Sequence, residues 1–334
     1  MGKYVTAAYV FDREGLVLHD EDAKHIDQLN FSFALVKEDR VNGDHWRNIE
    51  AYKAYVKKHP HILPVVSVGG WGAGGFSEAA STVEGRKRFA DSTIALMQAH
   101  GFLGVDIDWE YPCSSEAEIA SSPEDKQNFT LLLRELRERL DALSAADGKP
   151  RLLAAAVGAS PALVGNIECE AVGRIIDQLN LMTYDIQTRY VMSHATALHV
   201  SDARYPNCAH TAVEAYAKAG IPKGKMMVGC ACYARLFAAK DGVPRVFGEA
   251  STAGFDTKPY KKLVCEPGWA HRFDEAAGAA YAVKEEWFAS YDSVRSVSGK
   301  GKYVQENGLQ GLMYWEYGSD FEGQIIGAMH ESLM

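Results

Sequence analysis

Gly104-Val105-Asp106-Ile107-Asp108-Trp109-Glu110-Tyr111-Pro112 reads, up to its proline, as an extended segment with two unlike faces. Residues two apart in a strand share a face, so Asp106, Asp108 and Glu110 line one side while Val105, Ile107 and Trp109 take the other. A solvated acidic edge has no use for Val, Ile and Trp on its alternate face. The segment therefore predicts a strand in the middle of a buried sheet. Working outward, similar apolar runs recur at Tyr4 to Val10, Gln28 to Leu35, Ile62 to Val68, Leu152 to Val157, Leu179 to Tyr184, Met226 to Cys230 and Gly311 to Trp315. With Gly104 to Asp108 that makes eight.

Between the runs lie helix-period segments such as Glu84 to His100 and Pro123 to Leu143. In the second, Ser122 is expected as the cap with Pro123 at the first helical position. Phe129, Leu132, Leu133, Leu136, Leu140 and Leu143 form one apolar stripe. Eight strand–helix units whose strands are too apolar for a wet face predict parallel strands covered by helices. The expected architecture is a closed (β/α)8 TIM barrel, with an open doubly wound sheet as the alternative. No G-x-G-x-x-G follows the first strand, which weakens the dinucleotide-binding form of that alternative.

One interval breaks the rhythm. About 80 residues separate Cys230 from Gly311, where a βα unit needs only about 30. An α+β insertion between strands 7 and 8 is expected, with residues 1–235 and 292–334 forming the barrel and 236–291 the inserted subdomain, including a short helix near Trp287.

Composition excludes several classes of function. The 334 residues are 47% hydrophobic and 24% charged, enough for a large core and too apolar for global disorder. Thirty-five basic against 44 acidic side chains leave a net charge of −9, which opposes binding to nucleic acid or an anionic membrane surface. No apolar run reaches the ~18–20 residues of a spanning helix. The six cysteines form no C-x-x-C pair and the eleven histidines no H-x-x-x-H or H-E-x-x-H spacing, so neither a metal nor another cofactor is expected. Asn30-Phe31-Ser32 and Asn128-Phe129-Thr130 are glycosylation sequons, the first inside an apolar run and so read as coincidence.

Successive same-face residues of a strand stand about 7 Å apart, so ionising all three carboxylates is costly. At least one of Asp106, Asp108 and Glu110 is expected to keep its proton to unusually high pH, as a general acid must near neutrality. Three oxygens around a hard cation are the other reading, although such sites are usually loops rather than one straight strand. In a barrel the carboxyl ends of the strands face the active site, which favours Glu110 as the group that reaches a substrate.

The stretch resembles the D-x-x-D-x-D-x-E signature of glycoside hydrolase family 18, the chitinases and their relatives. Further segments resemble the family in order: Ser67-Val68-Gly69-Gly70-Trp71 its S-x-G-G motif, Met182-Thr183-Tyr184-Asp185 its M-T-Y-D motif, and Tyr233-Ala234-Arg235 its Y-G-R motif. Gly311 to Glu316 is similar to its last strand, and Ser290 to Val297 to the segment leading back from its inserted subdomain. Two departures stand out. Leu103 replaces the first Asp of the signature, and Ala234 replaces the Gly of Y-G-R, with Ala231-Cys232 ahead of Tyr233 instead of the expected Pro. The second departure questions the backbone shape there.

The resemblance implies a chitinase that cleaves β-1,4 bonds between N-acetylglucosamine units by substrate-assisted retaining catalysis, acting on chitin or chitooligosaccharides as a monomer. Glu110 would be the acid and then the base, and the substrate's own acetamide oxygen the nucleophile. Asp108 would orient the acetamide, with Asp106 sharing a proton with Asp108 and Tyr184 bonding the acetamide carbonyl. Asp185 would contact the sugar and Trp315 would stack beneath it, with Met182, Gly70, Trp71, Tyr233 and Arg235 at the binding site. Tyr9 and Ser67 read equally as sugar-site supports or as barrel-interior residues. Trp71 and Trp315 read as core or as platforms, and their positions after Gly69-Gly70 and at a strand end favour platforms. An endo-β-N-acetylglucosaminidase directed at N-glycans or peptidoglycan, and a non-catalytic chitinase-like lectin, are the alternatives. Retention of Glu110 speaks against the lectin. With no signal peptide ahead of Lys3-Tyr4-Val5, the chain is expected to be cytoplasmic, or secreted with its signal removed.

Overall fold

All eight predicted runs are strands in the computed structural model of the protein, which describes residues 3–186, 192–200, 206–239 and 251–334. In chain order the strands are β1 (Val5–Phe11), β2 (Gln28–Lys37), β3 (Arg40–Asn42), β4 (Leu63–Gly69), β5 (Gly104–Asp108), β6 (Leu152–Gly158), β7 (Gln178–Met182), β8 (Met226–Ala231), β9 (Tyr233–Ala239), β10 (Ser251–Pro259), β11 (Ala270–Asp274), β12 (Ala279–Lys284), β13 (Trp287–Tyr291) and β14 (Gly311–Trp315). Eight of them run β1-β14-β8-β7-β6-β5-β4-β2, and β1 pairs with β2 to close the ring. Every neighbouring pair in the ring is parallel. This is the (β/α)8 TIM barrel.

The two faces of β5 account for its place. Val105 and Ile107 are fully buried on the helical side, and beyond the strand Trp109 continues that face, stacking on Phe76 at 5.4 Å and meeting Phe129 edge-on at 5.9 Å. Phe129 begins the predicted stripe, whose Leu132, Leu133, Leu136 and Leu140 are also buried. Inside the barrel, Ala7, Tyr9, Ala156, Met182, Met227 and Met313 form an apolar cluster. Alongside it is a polar set in which Gln28 bonds Asn30 and Gln178 bonds Asn180. The sequon at Asn30 is thus enclosed by the barrel.

Two local expectations are corrected. The long helix spans Asp125–Asp147, not Pro123 onward, and Ser122 does not cap it. Instead the buried Asp125 carboxylate accepts from the Ser122 amide at 2.7 Å and the Ser77 hydroxyl at 2.7 Å, so an acid inside the first turn organises the entry. Near Trp287 there is no helix but the central strand β13, paired antiparallel with β9 and β12. Its Phe288, Ala289 and Tyr291 are buried, and backbone pairing on both edges outweighs any helical spacing. Among the described residues, the helix of this region is Tyr260–Cys265.

The strands between β8 and β14 form a separate five-stranded sheet in the order β10-β9-β13-β12-β11, all pairs antiparallel. Helix Val294–Asn307 then leads to β14, the last barrel strand. Among the described residues no helix is long and apolar enough to cross a membrane.

Candidate active site

Asp106 and Asp108 lie in β5 and point into the barrel, while Glu110 lies two residues past the strand's end. All three are nearly or fully buried. Asp106 is held by three donors. Tyr9 Oη and Ser67 Oγ each donate to its Oδ2 at 2.8 Å, and Asn180 Nδ2 donates to its Oδ1 at 3.0 Å. Burial raises the Asp106 pKa and these three bonds oppose the rise. Both Asp106 oxygens are therefore engaged from β1, β4 and β7.

Asp108 has no such support. Its Oδ1 is buried without a hydrogen-bond partner, and burial, then the charges of Glu110 and Asp106, push its pKa far up. For Glu110, burial raises the pKa to about 7, opposed by a hydrogen bond with Tyr111 and reinforced by the Asp185 charge. The row thus runs from a buried, hydrogen-bonded carboxylate inside the barrel, through Asp108, whose acidity is shifted far up, to an acid with a pKa of about 7 at its mouth. The position of Glu110 suits a group that must give up a proton near neutrality.

The neighbouring strand ends shape the space around the row. After β4 the backbone turns through Gly69 and Gly70 at φ 116° and 92°. A Cβ on Gly69 would lie 2.1 Å from the Asp108 carbonyl oxygen, and one on Gly70 would strike the Phe33 ring at 2.6 Å. Both positions require glycine. The turn lets Gly70 donate to that same carbonyl at 2.9 Å and delivers Trp71, 52% exposed, to the rim, where its ring meets Tyr111 edge-on.

Past the end of β7, Tyr184 turns inward and Asp185 adopts a left-handed backbone at φ 54°, uncommon for any residue but glycine. Asp185 is clamped from β9: Tyr233 donates to its Oδ2 at 2.8 Å, and Arg235 engages both its oxygens through Nε and Nη2. The Ala234 departure does not disturb this wall, since Ala234 sits in regular register between Lys258 and Tyr291. Ahead of it, Cys232 donates its amide to the Trp315 carbonyl at 2.7 Å. Leu103 pairs backbone groups with Pro64 and Leu152 just before β5.

Trp315 ends β14 half-buried, stacked on Phe33 at 5.3 Å and flanked by Tyr9 and Phe11. Met182 lies in the interior cluster beneath Tyr184 and Trp315. Tyr9 and Ser67, for which two readings stood open, are barrel-interior residues that hold Asp106.

The arrangement can be set beside known proteins. The family described as glycosyl hydrolases family 18 matches residues 3–320. The chain belongs to that family. It is 36% identical to a glycoside hydrolase family 18 N-acetylglucosaminidase from Paenibacillus barengoltzii, whose structure it matches with a TM-score of 0.94 over 98% of this chain and 99% of that one. It is 34% identical over 309 residues to Chitinase A1 of Niallia circulans and 30% identical over 290 residues to Endochitinase 1 of Metarhizium robertsii, 83% of this chain in each case. The matched regions cover 44% and 66% of those two proteins.

Three residues beside the carboxylate row and Trp315 are not singled out by the sequence. Asn180 bonds both Asp106 and Tyr9, and its parity with Met182 and Tyr184 marked it as inward-facing. Phe33, within β2, backs Trp315, and Tyr111, past the end of β5, bonds Glu110, but neither aromatic has a periodic signal to separate platform from core.

Proposed function

We propose that the chain hydrolyses β-1,4 bonds between N-acetylglucosamine units, with residues 1–235 and 292–334 as the catalytic barrel and 236–291 as the inserted α+β subdomain. The observation that carries this reading is the buried pair at the barrel mouth: Glu110, whose acidity burial shifts to about 7, beside Asp108, whose Oδ1 is buried without a partner. Glu110 gives its proton to the glycosidic oxygen as the bond to the anomeric carbon breaks. The substrate's acetamide oxygen attacks that carbon from the other face, forming a cyclic intermediate, so no second carboxylate needs to be the nucleophile. Water then opens the ring, its proton returns to Glu110, and the product keeps its anomeric configuration.

Asp108 Oδ1 receives the acetamide N–H and offsets the positive charge that develops on the ring. Asp106, fixed by its three donors, acts through Asp108 rather than by sharing a proton in a direct bond. Tyr184 donates to the acetamide carbonyl, Asp185 contacts the sugar at the cleavage point, and Trp315 is the floor beneath it. Met182 packs under that floor and the Gly70 turn leaves room above it. Trp71 on one rim, and Tyr233 with Arg235 on the other, extend the cleft for further sugars, which favours oligomers and polymer as substrates. The near-neutral acidity of Glu110 favours an enzyme over a lectin.

A second reading, release of single N-acetylglucosamine units, is supported by the full-length likeness to the Paenibacillus protein. Digestion of chitohexaose followed by proton NMR and product sizing tests both. Initial products in the β configuration support the retaining route, whereas α products would overturn it. Dimers and trimers favour internal cleavage, and monomer from the first minutes favours the second reading.

A further inference from the structure

Lys300, on helix Val294–Asn307, has no exposed surface, and neither does the Asp292 carboxylate with which it forms an ion pair at 2.7 Å. Neither residue touches the carboxylate row, and the chemistry above does not use them. A buried ion pair is seldom more stabilising than apolar side chains of equal volume, so its reward is sought in what it specifies.

Its hydrogen bonds answer that. The Lys300 ammonium uses all three protons, on Asp292 Oδ2, on Thr196 Oγ1 at 2.6 Å and on the Gly229 carbonyl at 3.0 Å. Asp292 in turn accepts from Thr196 Oγ1 at 2.7 Å, from the Ala231 amide at 2.9 Å and from Ser296 Oγ at 2.8 Å. Thr183, the residue before Tyr184, donates its hydroxyl to the same Gly229 carbonyl at 2.7 Å, and its own carbonyl lies 3.1 Å from Thr196 Oγ1. The Ile186 amide, just past Asp185, bonds the Ala195 carbonyl next to Thr196, and the Ala195 amide bonds Ser290 Oγ. One charge pair therefore gathers the backbone on both sides of Tyr184-Asp185, the end of β8 that leads to Tyr233 and Arg235, and the return strand β13.

We propose that Lys300 and Asp292 are positioning residues: through Thr196 and Gly229 they set where Tyr184 and Asp185 stand against Glu110. The left-handed backbone of Asp185, a conformation aspartate adopts more readily than most residues, is bracketed by the bonds of the Thr183 carbonyl to Thr196 and of the Ile186 amide to Ala195. The kinetic part of this inference rests on the hydrolase reading, and the structural part does not.

The test pairs two sets of variants. Asp292→Asn/Lys300→Met removes both charges without stranding either, and Thr196→Val removes one hydroxyl at constant shape. Both are expected to fold, to lower kcat on a fluorogenic chitobioside at least tenfold with KM changed less than threefold, and in crystal structures to show Tyr184 displaced and the Asp185–Arg235 pair parted. Thr196→Ser, which keeps the hydroxyl, is expected to restore kcat. Variants that melt lower but keep wild-type kcat, with Tyr184 and Asp185 unmoved, would make the pair merely structural and overturn the proposal. If wild-type protein itself shows no turnover, the hydrolase reading fails, and the positions of Tyr184 and Asp185 in the variant crystals still decide the inference.

Discussion

The phenol of Tyr9 donates to Asp106 Oδ2 at 2.8 Å across the inside of the barrel, joining residues 97 positions apart. That bond makes a residue with two open readings into part of the acid–base system. Tyr9→Phe removes one of three donors to a buried carboxylate, which costs about 1–3 kcal/mol where the acceptor is left short. The expected result is kcat/KM lowered by roughly tenfold or more with the fold retained, checked by steady-state kinetics beside thermal melting.

Glu110 governs the alkaline limb of activity. With its pKa at about 7, the protonated acid is lost above neutrality, so kcat/KM should fall with a midpoint near pH 7. A pH–rate profile of the wild type checks this, and a midpoint below about 5 would contradict it.

The same group links stability to pH. Its folded pKa, about 7, stands above the ordinary 4.5, so its stabilising contribution is full below about pH 4.5 and is lost as pH rises through 7. Glu110→Gln should flatten this part of the wild-type stability curve, as read by urea unfolding at several pH values.

Arg235 shields Asp185, and Asp185 raises the Glu110 pKa. Arg235→Ala should therefore move the alkaline limb upward, because an uncompensated Asp185 charge disfavours a second anion nearby. A profile unmoved or moved downward would show that the wall from β9 is electrically silent at Glu110.

Trp315 is held by Phe33, Tyr9 and Phe11 yet remains half-buried. Trp315→Ala should weaken binding of a chitooligosaccharide by about 1–3 kcal/mol, measured by calorimetry on the Glu110→Gln background so that nothing is cleaved.

Which of these features could be read from the sequence follows from their range. The barrel strands were legible because strands buried on both faces are apolar runs that break sharply at turns, and the carboxylate row because its period of two is local. The entry to helix Asp125–Asp147 differs from the expectation because Ser122-Pro123 is a good local start, while the actual organiser, Asp125, draws on Ser77 in the helix Phe76–Ser81, 48 residues back in the chain. β13 near Trp287 takes its form from partners on both sides. Asn180 carried a local signal in its parity. The Lys300 network did not, since Thr196, Gly229 and Asp292 meet only once β8, β13 and the final long helix are assembled.

The most direct test of the central claim is release of a fluorescent leaving group from chitobioside and chitotrioside glycosides by the wild type and by Glu110→Gln. Saturable wild-type turnover, lowered at least 100-fold in a variant that melts no lower than the wild type, is the predicted result. Saturable binding of chitooligosaccharides without turnover, or substantial turnover left in Glu110→Gln, would contradict it.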